Sequence, residues 1–165
     1  MTLRITVLSL AAALAVASCA APEPPKVAVA PPAPKCEPPP TQLMTRDMAE
    51  GTGDPINFRS AILVNYTGWL YDPCKPDHKG EMFDTSQGRA TPFGFIVGAG
   101  RVIKGWDQGI LGMREGGKRE LTIPPDMGYG ANAAPGGKIP PNSTLVFDVD
   151  VVKVIQRGPP EGDAK

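Results

Sequence analysis

Histidine is nearly absent from this chain, and cysteine is scarce. The 165 residues hold one His, at 78, and three Cys, at 19, 36 and 74. Zinc sites need Cys or His ligands paired at short spacings, and these four residues match no such pattern. No metal or other cofactor is expected, and His78 is expected to be a solvated loop residue. An excess charge of either sign is also missing: 17 Lys and Arg stand against 17 Asp and Glu. A nucleic-acid binder attracts phosphates with a basic field, so nucleic acid is not expected as a partner. Glycine is absent before Gly51, whereas nine of the 20 prolines fall between Ala20 and Pro40. This split separates a stiff tail from a turn-rich globular domain.

The apolar run near the N-terminus, Ile5 to Ala17, is broken only by Thr6 and Ser9. It is too short for a transmembrane helix of ~20 residues but suits a secretory signal peptide, with Arg4 as its positive end. Residues 1–18 are therefore expected to be an export signal. The run ends in Val16-Ala17-Ser18-Cys19, which resembles the bacterial lipobox, where the Cys is lipidated and becomes the first mature residue. The alternative is ordinary cleavage after Ala15-Val16-Ala17. A lipid on Cys19 would hold the protein at a membrane surface, at ~0.8 kcal/mol per buried methylene. Ala20, rather than Asp, after Cys19 favours the outer membrane over the inner.

Residues 19–41 read as the lipidated Cys and a Pro/Ala-rich tether, extended at ~3.1 Å per residue. A Pro-rich ligand for another protein is the alternative. With Cys19 lipidated, Cys36 and Cys74 remain. An exported protein meets an oxidising compartment, so a Cys36–Cys74 disulfide is expected; two separated free thiols are the alternative.

The folded domain is expected over 42–157, with 158–165 as a flexible tail. Leu43–Ala49 can form a first strand, and Ser60–Tyr71 is rich in β-formers. Asp72–Gly80 reads as a loop, Glu81–Thr85 as a short extended piece, and Thr91–Val97 as a half-buried strand. Arg101–Gln108 predicts about two helical turns, with Ile103, Trp106 and Ile110 on one face. Lys118–Ile123 is a strand. Leu145, Phe147, Val149 and Val151 alternate with Val146, Asp148 and Asp150 in a long closing strand. The fold class is α+β: a mostly antiparallel sheet wrapped over one short helix.

Five segments concentrate aromatic and branched residues beside few polar ones: NYTGWL from Asn65, MFDTS from Met82, FGFIVGAGRVIKGWDQGILGM from Phe93, KRELTIPPDMGYG from Lys118, and IPPNSTLVFDV from Ile139. Such a set suits an apolar pocket with one or two hydrogen-bonding groups, not a hydrolytic, metal or phosphate site. In this order the motifs resemble the FKBP-type (tacrolimus- and rapamycin-binding) peptidyl-prolyl cis–trans isomerases, over about Gln42 to Val154. The resemblance implies a five-stranded antiparallel half-barrel around a short helix. It implies a pocket lined by Tyr66, Phe83, Asp84, Phe93, Val102, Ile103, Trp106, Tyr129, Ile139 and Phe147, with Trp106 as the floor under the proline ring.

Within that resemblance, Asp84, Tyr129, Tyr66 and Phe147 are the expected catalytic residues. The Tyr129 hydroxyl and the Ile103 N–H suit peptide carbonyls, while Asp84 can orient Tyr66 or polarise the rotating amide. Taken singly, each residue has a plainer reading. Phe95, Phe147, Val102, Ile103 and Trp106 can be core, Asp84 a turn cap, and Tyr129 a turn aromatic. Met127 stands where relatives often carry an aromatic, Ala134 where some carry His, and Gly136-Gly137-Lys138 is one residue longer than usual. The expected role is assistance to folding of exported proteins in the bacterial cell envelope, on Xaa-Pro segments, by a monomer. Bulky residues before proline are expected to be preferred over charged ones, and macrolide inhibitors are expected to bind. The alternative is a peptide-binding module or holdase that uses the same groove without turnover.

Overall fold

Period-two alternation builds the centre of this molecule. In Ala61–Tyr71, residues Ile62, Val64, Tyr66 and Gly68 are buried and their neighbours are not. The computed structural model describes residues 36–155 except 133 and 135, and all of them belong to one compact unit. The signal-peptide and tail expectations, and Cys19, lie outside the described residues. The described strands are β1 (Met44–Ala49), β2 (Ala61–Tyr71), β3 (Lys79–Thr85), β4 (Phe93–Ile96), β5 (Lys118–Ile123) and β6 (Leu145–Ile155). One helix, α1 (Lys104–Gly109), and a single 3-10 turn at Pro125–Met127 complete the regular structure among the described residues.

Every pairing is antiparallel, in the order β1-β5-β6-β2-β3, with β4 also on β2. The sheet therefore has six strands rather than the five expected. β3 pairs with Thr67–Tyr71 and β4 with Ala61–Val64, so the two lie end to end along one edge of β2 and fill one position. Between them the chain turns away through Ser86–Thr91, where Gly88 takes a positive φ.

The inner faces of β2, β5 and β6 pack over α1, placing Val64, Leu121, Ile123, Leu145, Val149 and Val151 in the core with Trp106 and Ile110. The helix comes close to the sheet because two of its residues have no side chain. A Cβ on Gly105 would stand 2.5 Å from Ile123, and one on Gly109 would stand 2.8 Å from Leu121. α1 also starts later than the periodicity predicts. The Asp107 carboxylate accepts the N–H of Gly98 (2.8 Å) and of Gly100 (3.3 Å), both in left-handed conformation. That clamp keeps the chain extended through Ile103, which carries ψ 149° at the helix N-cap.

The folded part also starts earlier than Gln42. Cys36 and Cys74 form a disulfide. Beside it, the Glu37 N–H donates to the Pro73 carbonyl (2.7 Å), and the Tyr71 hydroxyl donates to the Glu37 carbonyl (3.1 Å). Residues 36–41, assigned above to the tether, are thus fastened to the 72–78 loop. His78 lies in the loop as expected but is half-buried: its ring stacks on Tyr71 at 4.7 Å and its Nε2 lies 3.6 Å from Glu37. Stacking covers one face of the imidazole, and the nearby disulfide holds the segment bearing Glu37 beside it. Trp69 lies on the outer side with the Lys79 ammonium 4.8 Å over its ring. No described helix is long and apolar enough to cross a membrane.

Candidate active site

Trp106 is the hub of the aromatic residues. The glycine-lined face of α1 lies on β5, which turns Trp106 into the concave side of the sheet, where it is 4 % exposed. Four rings surround the indole: Tyr66 at 5.2 Å, Phe147 at 5.3 Å, Phe95 at 5.6 Å and Phe93 at 6.1 Å, three of them near perpendicular. Edge-to-face pairs of this kind contribute ~0.5–1.5 kcal/mol each beyond area burial, so ring geometry adds to the packing of the cluster. The indole Nε1 has no acceptor among the described residues.

Above it opens a cavity of about 170 Å³ lined by Tyr66, Phe83, Asp84, Phe93, Arg101, Val102, Ile103, Trp106, Tyr129 and Phe147. Nine of the ten pocket residues named from the sequence stand on this wall. Ile139 does not: it is 4 % exposed in the hydrophobic core, and its carbonyl accepts the Ala134 N–H, which folds the loop inward at that point. A larger cleft of about 590 Å³ lies between residues 37–40, β1 and the 76–78 loop. Its Arg46 and Glu120 are already paired to each other at 3.0 Å, and its aromatic groups, Tyr71 and His78, are stacked on each other.

One glycine shapes the cavity wall. Gly68 pairs across the sheet with Phe147 on β6 and with Asp84 on β3. A Cβ there would meet the Phe83 ring at 2.6 Å and the Phe147 ring at 2.7 Å. Its absence lets those rings meet edge to face at 5.4 Å.

The polar side of the cavity is a small network. The Tyr66 hydroxyl donates to Asp84 Oδ2 at 2.5 Å. Asp84 Oδ1 accepts the Thr85 N–H (2.9 Å) and the Arg89 guanidinium (2.5 Å), whose carbon lies 5.9 Å over the Tyr66 ring. Burial first, and then the Asp84 carboxylate, push the Tyr66 phenol up to about 12, so it is a neutral donor at physiological pH. Tyr129 is also raised, by burial and then by the charge of Asp84. Its hydroxyl has no partner among the described residues, and its ring is 37 % exposed at the mouth. The loop holding it is fastened by Gly130 N–H to the Pro125 carbonyl (2.8 Å) and Asn142 N–H to the Gly130 carbonyl (2.7 Å). Ile103 lines the cavity, and its N–H is likewise unused because it precedes the helical hydrogen bonds.

Two members of the site were not singled out from the sequence, Arg89 and Arg101. A signal existed for Arg89: an Arg five residues after Asp84, returned by a turn at Gly88. Arg101 directly precedes Val102 and Ile103 on a segment already assigned to the pocket.

An apolar, aromatic-floored seat with two free donors and a fixed phenol is suited to a small ring next to a peptide carbonyl. Comparison with known proteins agrees. A family model described as FKBP-type peptidyl-prolyl cis-trans isomerase matches residues 56–152. The chain is 48 % identical over 114 residues to an FK506-binding protein of Neisseria meningitidis, covering 69 % of this chain and 97 % of that one. It is 45 % identical over 116 residues to an FK506-binding protein of Streptomyces anulatus, covering 70 % and 89 %. Among solved structures it is similar to FkpA from Escherichia coli, with TM-score 0.57 and 39 % identity over 69 % of this chain. It spans about half of that longer chain, 48 %.

Proposed function

The chain belongs to the FKBP-type peptidyl-prolyl cis–trans isomerases, and from that premise we propose that it turns Xaa-Pro bonds of exported proteins in the bacterial cell envelope, anchored through a lipid on Cys19. The observation that carries the reading of the site is the seat over Trp106, walled by Tyr66, Phe93 and Phe147, with the Ile103 N–H and Tyr129 hydroxyl both unused beside it.

The chemistry asked of such a seat is modest. Resonance stiffens the amide and sets a barrier of ~18–20 kcal/mol, and no bond has to break to cross it. Any accelerant must bind the twisted amide better than the planar one. The planar form carries more charge on its oxygen and is favoured by water. Aromatic walls withhold that solvation, so the less polar twisted form gains relative to it. In this reading the proline ring rests on Trp106, and the two free donors hold neighbouring carbonyls. Asp84 keeps the Tyr66 phenol in place, and Arg89 keeps Asp84 in place. The Val16-Ala17-Ser18-Cys19 motif supports the anchored location and Ala20 the outer membrane. The cavity is smaller than the ~300–1,000 Å³ of drug-sized sites, so a macrolide is expected to seat only its proline-like portion here.

The test is a protease-free isomerisation assay on a Leu-Pro peptide, with and without a macrolide inhibitor. The wild-type domain should accelerate exchange at micromolar concentration and lose that effect with the inhibitor. Asp84→Asn, which weakens the bond to Tyr66 and leaves Arg89 without its anion, should lower kcat/KM about tenfold, a loss of ~1.4 kcal/mol in transition-state binding. Peptide binding without any acceleration would replace this reading with the holdase one.

A further inference from the structure

The cavity wall holds two charged residues, and only one of them is partnered. Asp84 is used by the Tyr66 hydroxyl, the Thr85 N–H and Arg89. Arg101 is exposed and has no hydrogen bond or ion pair among the described residues. The nearest acid along the chain, Asp107, does not neutralise it, because both of its oxygens accept backbone N–H groups of Gly98 and Gly100. That clamp fixes the loop leading into Arg101 and leaves the guanidinium free. Arg101 also borders the shallow groove over Leu63 and Ile96, so it stands at the boundary of the cavity and not on its floor. Lys138 Nζ donates to the carbonyl of Phe83, a residue of the wall, at 3.3 Å, while the single lining acid, Asp84, is already paired with Arg89. A peptide entering the cavity therefore meets a guanidinium that no acid of the wall neutralises.

We propose that Arg101 is a specificity-determining residue, selecting Xaa-Pro segments that carry an Asp or Glu within two residues of the proline. This rests on the isomerase reading above and deepens it. The residue directly before proline still meets apolar wall, so the acid is expected after the proline or two positions before it. A guanidinium without a partner forms a charge-assisted, bidentate pair with a carboxylate and repels a Lys at the same place. Because the pair is exposed, its effect is small and screened by salt.

The test is kcat/KM on Leu-Pro peptides carrying Glu, Gln or Lys at each of those two positions. At low ionic strength the wild-type protein should favour Glu over Lys at one of them by about three- to tenfold, as expected for an exposed pair plus the matching repulsion, and 0.5 M salt should shrink the ratio. Arg101→Gln should bring it towards one, Arg101→Lys should keep most of it, and Arg101→Glu should invert it. Inversion is a response that a merely structural arginine would not give. An equal rate for Glu and Lys peptides in the wild type, or a ratio untouched in Arg101→Glu, overturns the proposal. Turnover of the Gln peptides separates the two readings: if the wild type does not isomerise them, the isomerase assignment fails, and if it does, only the role of Arg101 is at stake.

Discussion

Asp84 is the residue on which the polar side of the cavity converges, since it bonds Tyr66, Thr85 and Arg89 at once. Its effect is clearest on Tyr66. The folded state raises this phenol from 10.0 to about 12, with burial as the larger cause and Asp84 the next. A raised value means that the folded protein holds the proton more tightly than the unfolded chain. The linked stability is fully present below pH 10 and is lost as pH rises through 12. In an ultraviolet titration of the native protein, the last phenol to ionise should be Tyr66, and Tyr66→Phe should remove that step. A variant that keeps the step would place the ionisation elsewhere, on Tyr71 or Tyr129, both also raised by burial. Tyr66 and Asp84 were legible from the sequence because each sits in a recognisable motif. Their bond was open to a turn-cap reading, because 18 residues separate them and only the β2–β3 pairing brings them together.

Elements were legible where their signal is local. Richness in β-formers marked β2, alternation marked β6, and Lys118–Ile123 coincides with β5. The helix was displaced by three residues at its start because one of its own side chains, Asp107, reaches back and holds the preceding glycines. Ile139 packs in the core and not on the cavity lining: a motif gives its position along the chain, whereas the turn from Ala134 bears on which way it packs. The glycines of β2 and α1 are the least legible parts, because their meaning lies in what would collide with a side chain. Gly68→Ala tests this at the element scale. The added methyl must displace Phe83 and Phe147, and overpacking of this kind costs about 1–3 kcal/mol. Urea unfolding should show a lower midpoint with an unchanged slope, and isomerase activity should fall with it because both rings line the cavity. A midpoint equal to that of the wild type would mean the two rings can move apart freely and are not a rigid wall.

At the scale of the whole molecule, the Cys36–Cys74 bond joins the end of the proline-rich segment to the domain. The expectation of a disulfide came from the compartment; nothing local announced that Glu37, Tyr71 and His78 would close around it. Those contacts put the last described residues of the N-terminal segment on the edge bearing the 72–78 loop, while the cavity is built by α1, the concave side of β2 and β6, and the 83–84 and 129 positions. The bond therefore acts on stability and not on the chemistry of the seat. Closing a loop of 38 residues removes unfolded-state entropy worth about 2–4 kcal/mol. Cys36→Ser with Cys74→Ser should lower Tm by roughly 10 °C. The variant's kcat/KM on a Leu-Pro peptide, measured well below its Tm, should stay within about twofold of the wild type, since such a ratio is under 0.5 kcal/mol. A large loss of kcat/KM in a folded variant would show that the fastened segment reaches the cavity. An unchanged Tm would show that the contacts of Glu37 and His78 hold the segment without the bond.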